Sequence, residues 1–298
     1  MSACPSCGAQ SPPQAVCCRY CGAGLGAGGP APAGGPASAT GRLRAWLAAV
    51  IAVAFLAAIA AVVAFVVLDR GSPQSSLPSL RWTIIGASVQ GRPIEAASFG
   101  SGATRRVLVI GGVHGGEDGA SAAVQLAEYL NVHLEEVPAS ATVDIIRCLN
   151  PDAEAAGTRG NARGVDLNRN MPTTDWRGRL SRTDQSRYKF HCNGGTSPGS
   201  EPEVQALLEQ LDKGYDAVLS LHSHGGFLDA NGPGGRGLAR RISAVCGLKL
   251  DTVPYDARIT GSMGRYIPAE YGIPVVTVEL DSPSLSQRMI EALLVAAQ

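Results

Sequence analysis

From about residue 80 onward the sequence predicts an α/β sandwich on a largely parallel β-sheet, and three observations carry that reading. Apolar, β-branched runs at 106–110, 142–149, 217–221 and 275–280 alternate with helical patterns near 119–131, 201–211 and 238–246, the rhythm of βαβ units. A hairpin precedes them, with strands at 82–89 and 94–99 around the turn Gln90-Gly-Arg-Pro93. Polar residues able to do chemistry follow the strand ends, where ligands gather in open α/β sheets. The chain of 298 residues is 45% hydrophobic with zero formal net charge, enough for one fair-sized core plus accessories. No long basic run or aromatic-basic interleaving appears, so the composition excludes nucleic acid as a partner.

Residues 1–24 come first in the chain and hold Cys4-Pro-Ser-Cys7 and Cys17-Cys18-Arg-Tyr-Cys21. Two C-x-x-C knuckles, each followed by glycine, suit four thiolates on a tetrahedral zinc. Cys4, Cys7, Cys18 and Cys21 are the expected ligands, with Cys17 spare; two disulfides or a redox C-x-x-C would use the same residues otherwise. A piece this small has no core, so a structural zinc would supply most of its folding free energy. It resembles the short zinc ribbon at the front of many bacterial membrane proteins, which implies a structural or partner-binding module.

Residues 25–42 are a Gly/Pro/Ala-rich linker with nothing to bury. Within 43–68 the run 45–68 contains no charge and no proline. As a helix at about 1.5 Å per residue it reaches roughly 36 Å, against a hydrocarbon core of about 30 Å, so one transmembrane helix is expected. The run starts too far from Met1 and is too long for a cleaved signal peptide. Arg42 and Arg44 before it, and the ease of keeping thiolates reduced inside the cell, favour a cytoplasmic N-terminus. A spacer at 69–79 then leads to an extracytoplasmic domain at 80–298, whose Cys148, Cys192 and Cys246 neither require nor exclude a disulfide.

In that domain the strand 106–110 breaks at Gly111-Gly112 and presents His114 and Glu117 on a turn before a helix with Ala123, Leu126, Ala127 and Leu130 on one face. An imidazole and a carboxylate three residues apart on a turn can point to one side, and both are good zinc ligands. The same pair can also be a plain hydrogen bond. The strand 142–149 ends at Asn150-Pro-Asp152, His222 follows the strand 217–221, and Glu279 lies near the end of the last strand before a closing helix. His224 reads as a solvent-facing or supporting residue rather than a ligand, and His133 and His191 read as surface residues. A serine nucleophile lacks support, since the Gly195-Thr-Ser-Pro-Gly199 run follows no apolar strand and so is no strand-to-helix elbow.

His114-x-x-Glu117, Asn150-Pro-Asp152, the run Gly157-Thr-Arg-Gly-Asn-Ala-Arg-Gly-Val-Asp-Leu-Asn-Arg-Asn170, Leu221-His222 and Thr277-Val-Glu279, in that order, resemble the zinc metallocarboxypeptidase family, closest to its murein peptide amidase A-like members. The resemblance runs from about Arg81 to the C-terminus. It implies a carboxypeptidase-like three-layer sandwich with a mixed, largely parallel sheet. It implies that His114, Glu117 and His222 bind a catalytic zinc and that Glu279 is the general base. Arg159 would stabilise the oxyanion, Asn168 and Arg169 would hold the substrate carboxylate, and Asp166 would orient His114. Arg163 competes with Arg159 for its role, but the Gly-Thr-Arg spacing favours Arg159.

One departure concerns the tyrosine that closes over substrate in the carboxypeptidases. Tyr255 is nearest, but counting from Gly261-Ser262 puts Asp256 in its place, and Arg258 is at hand to meet a second carboxylate. The expected activity is hydrolysis of an amide beside a free carboxylate, in peptidoglycan stem peptides at the γ-D-glutamyl to diaminopimelate bond. The rivals are a deacylase of the aspartoacylase or succinylglutamate desuccinylase type, and an inactive module that binds wall fragments.

Overall fold

The computed structural model describes residues 2–4, 6–11, 21, 79–179, 192–223, 225–251 and 259–298. The linker, the membrane-spanning run, Cys18, His191, His224, Tyr255, Asp256 and Arg258 of the sequence reading lie outside them. Among the described residues no helix is long and apolar enough to cross a membrane. The chain divides into two compact units, 1–74 and 75–298.

In the first unit β1 (Ser2–Ala3) pairs antiparallel with β2 (Gln10–Ser11). Between them Gly8 N donates to Cys4 O at 2.8 Å and Cys4 N to Ala9 O at 2.9 Å, which folds the first C-x-x-C into a tight knuckle. The Sγ atoms of Cys4, Cys7 and Cys21 lie within 4.8 Å of one another.

The second unit is an eight-stranded sheet: β3 (Thr83–Ala87), β4 (Pro93–Gly100), β5 (Arg105–Ile110), β6 (Ala141–Ile146), β7 (Ala217–His222), β8 (Phe227–Asn231), β9 (Lys249–Asp251) and β10 (Val275–Glu279), in the order β3-β4-β6-β5-β7-β10-β8-β9. Strands β6-β5-β7-β10 form its parallel centre, while β4 joins β6 and β8 joins β10 antiparallel. Every residue of β6 and β7 is buried, as expected of central strands covered on both faces. The one charge inside β6, Asp144, is matched by Arg106 at 2.8 Å and the Tyr215 hydroxyl at 2.7 Å.

Among the described residues six helices flank the sheet: α1 (Gly119–Val132), α2 (Pro151–Ala156), α3 (Pro202–Leu211), α4 (Gly235–Cys246), α5 (Met263–Tyr271) and α6 (Gln287–Leu294). Residues of α1, α4 and α6 pack in one core with one sheet face, and those of α3 and α5 in another with the opposite face, giving the three layers. Asn150-Pro-Asp152 does more than end a strand. Asn150 caps α2 by accepting from Ala153 N at 3.2 Å, Pro151 fits the first helical turn, and Gly157 closes the helix in the left-handed conformation.

Strand β5 has β6 on one side and β7 on the other. The chain passes from β5 through α1 to β6 and later returns to β7, so the sheet order reverses at β5. Open α/β sheets bind ligands outside the carboxyl ends of strands at such a point. The ends of β5, β7 and β10 meet there.

Candidate active site

His114 and Glu117 stand on the turn that leaves β5, and this turn is fitted against α2 and the segment after it. Gly115 N donates to Thr158 O at 2.9 Å, and a Cβ on Gly115 would stand 1.9 Å from Ala153 O, so only glycine passes here. His222 is the last residue of β7, and Glu279, the last of β10, is its register partner across the parallel pair. Paired residues project to the same face of a sheet, which sets Glu279 beside His222. Leu280 N donates to His222 O at 2.7 Å and fixes that register.

The three predicted ligands converge. His114 Nδ1 is 3.0 Å from Glu117 Oε1, and His222 Nδ1 is 2.8 Å from Glu117 Oε2. All three side chains are buried. The far nitrogens are anchored too: His114 Nε2 is 3.0 Å from Asp166 Oδ1, and His222 Nε2 is 3.0 Å from Ser220 Oγ. Ser220 was not foreseen, although the period-2 rule puts it on the same strand face as His222.

The electrostatics follow from this crowding. Burial pushes the Glu117 carboxyl up, but His222 and His114 outweigh it and hold the group far below the ordinary carboxylate range. Burial disfavours the charged form of His222, yet Glu117 raises it above the ordinary imidazole value. Asp166, opposed by burial but paired with Arg159 and His114, is held well below the usual range and stays an acceptor. His114 therefore donates Nε2–H to Asp166, which leaves the Nδ1 lone pair facing a carboxylate oxygen. Two acceptors at that distance need a cation between them, either protons or one metal ion. Two imidazole nitrogens and a carboxylate closing on one point are the donor set zinc takes in open catalytic sites, and the chemistry of the residues fits that ion.

Around the triad, Arg159 Nε donates to Asp166 Oδ2 at 2.8 Å while Nη1 lies 3.3 Å from His114 Nδ1 and 3.5 Å from Glu117 Oε1. Arg163 instead reaches Glu201 at 3.4 Å with a largely exposed side chain, so the two arginines separate by placement. Asp166 also accepts from Asn168 N at 2.9 Å, which begins the short turn Leu167–Arg169. Asn168 Oδ1 accepts from Met263 N at 2.8 Å, so its amide NH2 is the end that can donate. Arg169 is buried, with Nη1 donating to Asn168 O at 2.7 Å. Glu279 Oε2 is buried and has no hydrogen-bond partner among the described residues. Of the predicted site, Cys18 lies outside the described residues, and His133 is a surface residue as expected, with its side chain 43% exposed.

Comparison with known proteins agrees with this fold. A family model described as zinc carboxypeptidase matches residues 74–236. Murein peptide amidase A of Vibrio campbellii is 32% identical over 208 residues, covering 66% of this chain and 78% of that protein. The murein peptide amidase A of Escherichia coli K12 is 33% identical over 164 residues, covering 52% of this chain and 62% of its own length. The crystal structure of a murein-tripeptide amidase from Escherichia coli O157 matches with a TM-score of 0.59 at 25% identity, covering 76% of this chain and 96% of that one. With the family model spanning more than half of its residues, the chain is a zinc hydrolase and belongs to the zinc carboxypeptidase family.

Proposed function

We propose that the domain hydrolyses an amide bond next to a free carboxylate in peptidoglycan stem peptides, between γ-D-glutamate and diaminopimelate. The observation that carries the reading is the convergence of His114, Glu117 and His222, with Asp166 joining His114 to the backbone of Asn168. The wall substrate rests on the relatives, two of which are murein peptide amidases.

His114, Glu117 and His222 would hold the zinc, and bound zinc supplies Lewis acidity to a water and to the scissile carbonyl. Asp166 keeps His114 in the tautomer that offers Nδ1. Glu279 takes the proton of the attacking water on its buried Oε2 and passes it to the leaving amine. Arg159, already beside Glu117 and His114, faces the developing oxyanion. The Arg169 fork and the Asn168 amide receive the terminal carboxylate of the leaving residue.

In the same reading Cys4, Cys7, Cys18 and Cys21 hold a structural zinc, supported by the three thiols that cluster in the first unit. The run 45–68 anchors the chain in the cell membrane as a single-pass helix, with the ribbon in the cytoplasm, open to a protein partner, and the hydrolase outside. The test is the full chain in detergent, assayed for zinc and for products from L-Ala-γ-D-Glu-diaminopimelate and from ordinary C-terminal peptides. Free diaminopimelate is the expected product, and Glu279→Gln should lose about 10² to 10⁴ in turnover while its zinc content stays. Release from ordinary peptides alone would discard the wall substrate, and an active Glu279→Gln would discard the assigned base.

A further inference from the structure

Beyond the carboxylate anchor the chain carries a second set of charged groups that the hydrolysis itself does not use. Gly261, held at φ +64°, runs so close to Arg169 that a Cβ on it would stand 2.3 Å from Arg169 O. From there the backbone crosses to Asp175: Gly261 N donates to Thr173 Oγ1 at 3.1 Å and to Asp175 Oδ1 at 3.3 Å. Asp175 Oδ2 in turn receives Arg265 Nη1 at 2.5 Å. Arg265 and Asp175 keep 32% and 28% of their side chains exposed, so solvent and ligands reach the pair. Ser262 stands at the N-terminus of α5, and its hydroxyl is buried without a hydrogen-bond partner among the described residues. Met263 N, the next group along, is the one bonded to Asn168 Oδ1.

We propose that Arg265, Asp175 and Ser262 form a subsite for the distal end of the leaving residue's side chain, selecting one that carries an ammonium and a carboxylate together. The proposal rests on the wall-peptide reading above and adds which groups read the leaving residue. Arg265 and the Ser262 hydroxyl donate to the distal carboxylate, and Asp175 accepts from the distal ammonium. An apolar side chain would strip water from the ion pair without replacing it, which costs affinity. A lysine side chain, which is diaminopimelate without the distal carboxylate, would satisfy Asp175 and leave Arg265 unused. A site built to bond a substrate group rejects the analogue lacking it.

The experiment compares L-Ala-γ-D-Glu-diaminopimelate with L-Ala-γ-D-Glu-L-Lys for the full chain and for Arg265→Gln, Arg265→Lys and Asp175→Asn, with melting temperatures as a folding check. The wild type should prefer diaminopimelate by about 10- to 100-fold in kcat/KM, the scale of one charge-assisted bond. Arg265→Gln should lower that ratio by about 10-fold or more through KM, and Arg265→Lys should restore part of it. Asp175→Asn should weaken both substrates. An unchanged ratio in Arg265→Gln, whatever its overall loss, overturns the subsite while the wall substrate stands. A wild type that cleaves neither tripeptide but cleaves ordinary peptides overturns the wall reading and this inference with it.

Discussion

At the scale of single residues, the strongest unforeseen dependence is that of His222 on Ser220. The 3.0 Å contact between Ser220 Oγ and His222 Nε2 sets the ring so that Nδ1 meets Glu117. Loss of such an outer partner typically costs a metal site about 10- to 100-fold in affinity or activity. Ser220→Ala should therefore bind zinc about 10-fold more weakly in competition with a chromophoric chelator, with most activity restored at saturating zinc. An affinity equal to the wild type's would show that β7 alone orients the ring. The main site residues were legible because their chemistry survives in one dimension: His114-x-x-Glu117 on a glycine turn, and His222 and Glu279 at strand ends. Ser220 was not, because a serine in a buried strand announces nothing until its neighbour is read as a ligand. The pair of buried carboxylates Glu201 and Glu203, which share the Asn161 amide at 2.8 and 3.0 Å, was invisible for the same reason.

Among the elements, the join between the first hairpin and α2 rests on one carboxylate. Asp152 accepts from Ser88 Oγ at 2.8 Å, Gln90 N at 2.9 Å and Arg92 Nη1 at 2.6 Å, so it pins the β3–β4 turn to the helix that backs the turn of His114 and Glu117. Burial pushes its pKa up, but Arg92, Gln90 N and Ser88 outweigh burial and hold it below the ordinary value. A depressed carboxylate contributes stability that is present above its unfolded value of about 3.9 and lost as pH falls through the lower folded value. Asp152→Ala should cost about 1–3 kcal/mol at neutral pH by leaving Ser88 and Gln90 N without their acceptor. Its urea midpoint should also fall less steeply than the wild type's below about pH 4, and parallel curves would remove Asp152 from the acid limb. The central strands were legible as largely apolar, β-branched runs because both of their faces are covered. Strand β8 was not, since Phe-Leu-Asp-Ala-Asn mixes buried and polar positions without alternation, and α5 hid behind Pro268 within its last turns.

For the molecule as a whole, the proposed zinc site makes folding and zinc binding one equilibrium. His114, Glu117, His222, Asp166 and Arg159 are all buried where β5, β7 and β10 end, and without a cation the His114 Nδ1 lone pair opposes the Glu117 carboxylate. The metal-free domain must take up protons there or loosen the turn, and either response lowers its stability relative to the loaded form. Zinc at a hundredfold excess over its dissociation constant stabilises the folded state by about 2.7 kcal/mol. For a domain of this size that corresponds to about 5–10 °C in melting temperature. A chelator should therefore lower the main transition of the full chain by that amount in scanning calorimetry, and added zinc should restore it. The His114→Ala variant should melt low from the start and respond little to either. Cys7→Ser, in the other compact unit, should leave the chelator shift of this transition intact. A main transition indifferent to the chelator would mean that the turn after β5 holds its shape without the ion, and that the buried triad is kept apart by protons instead.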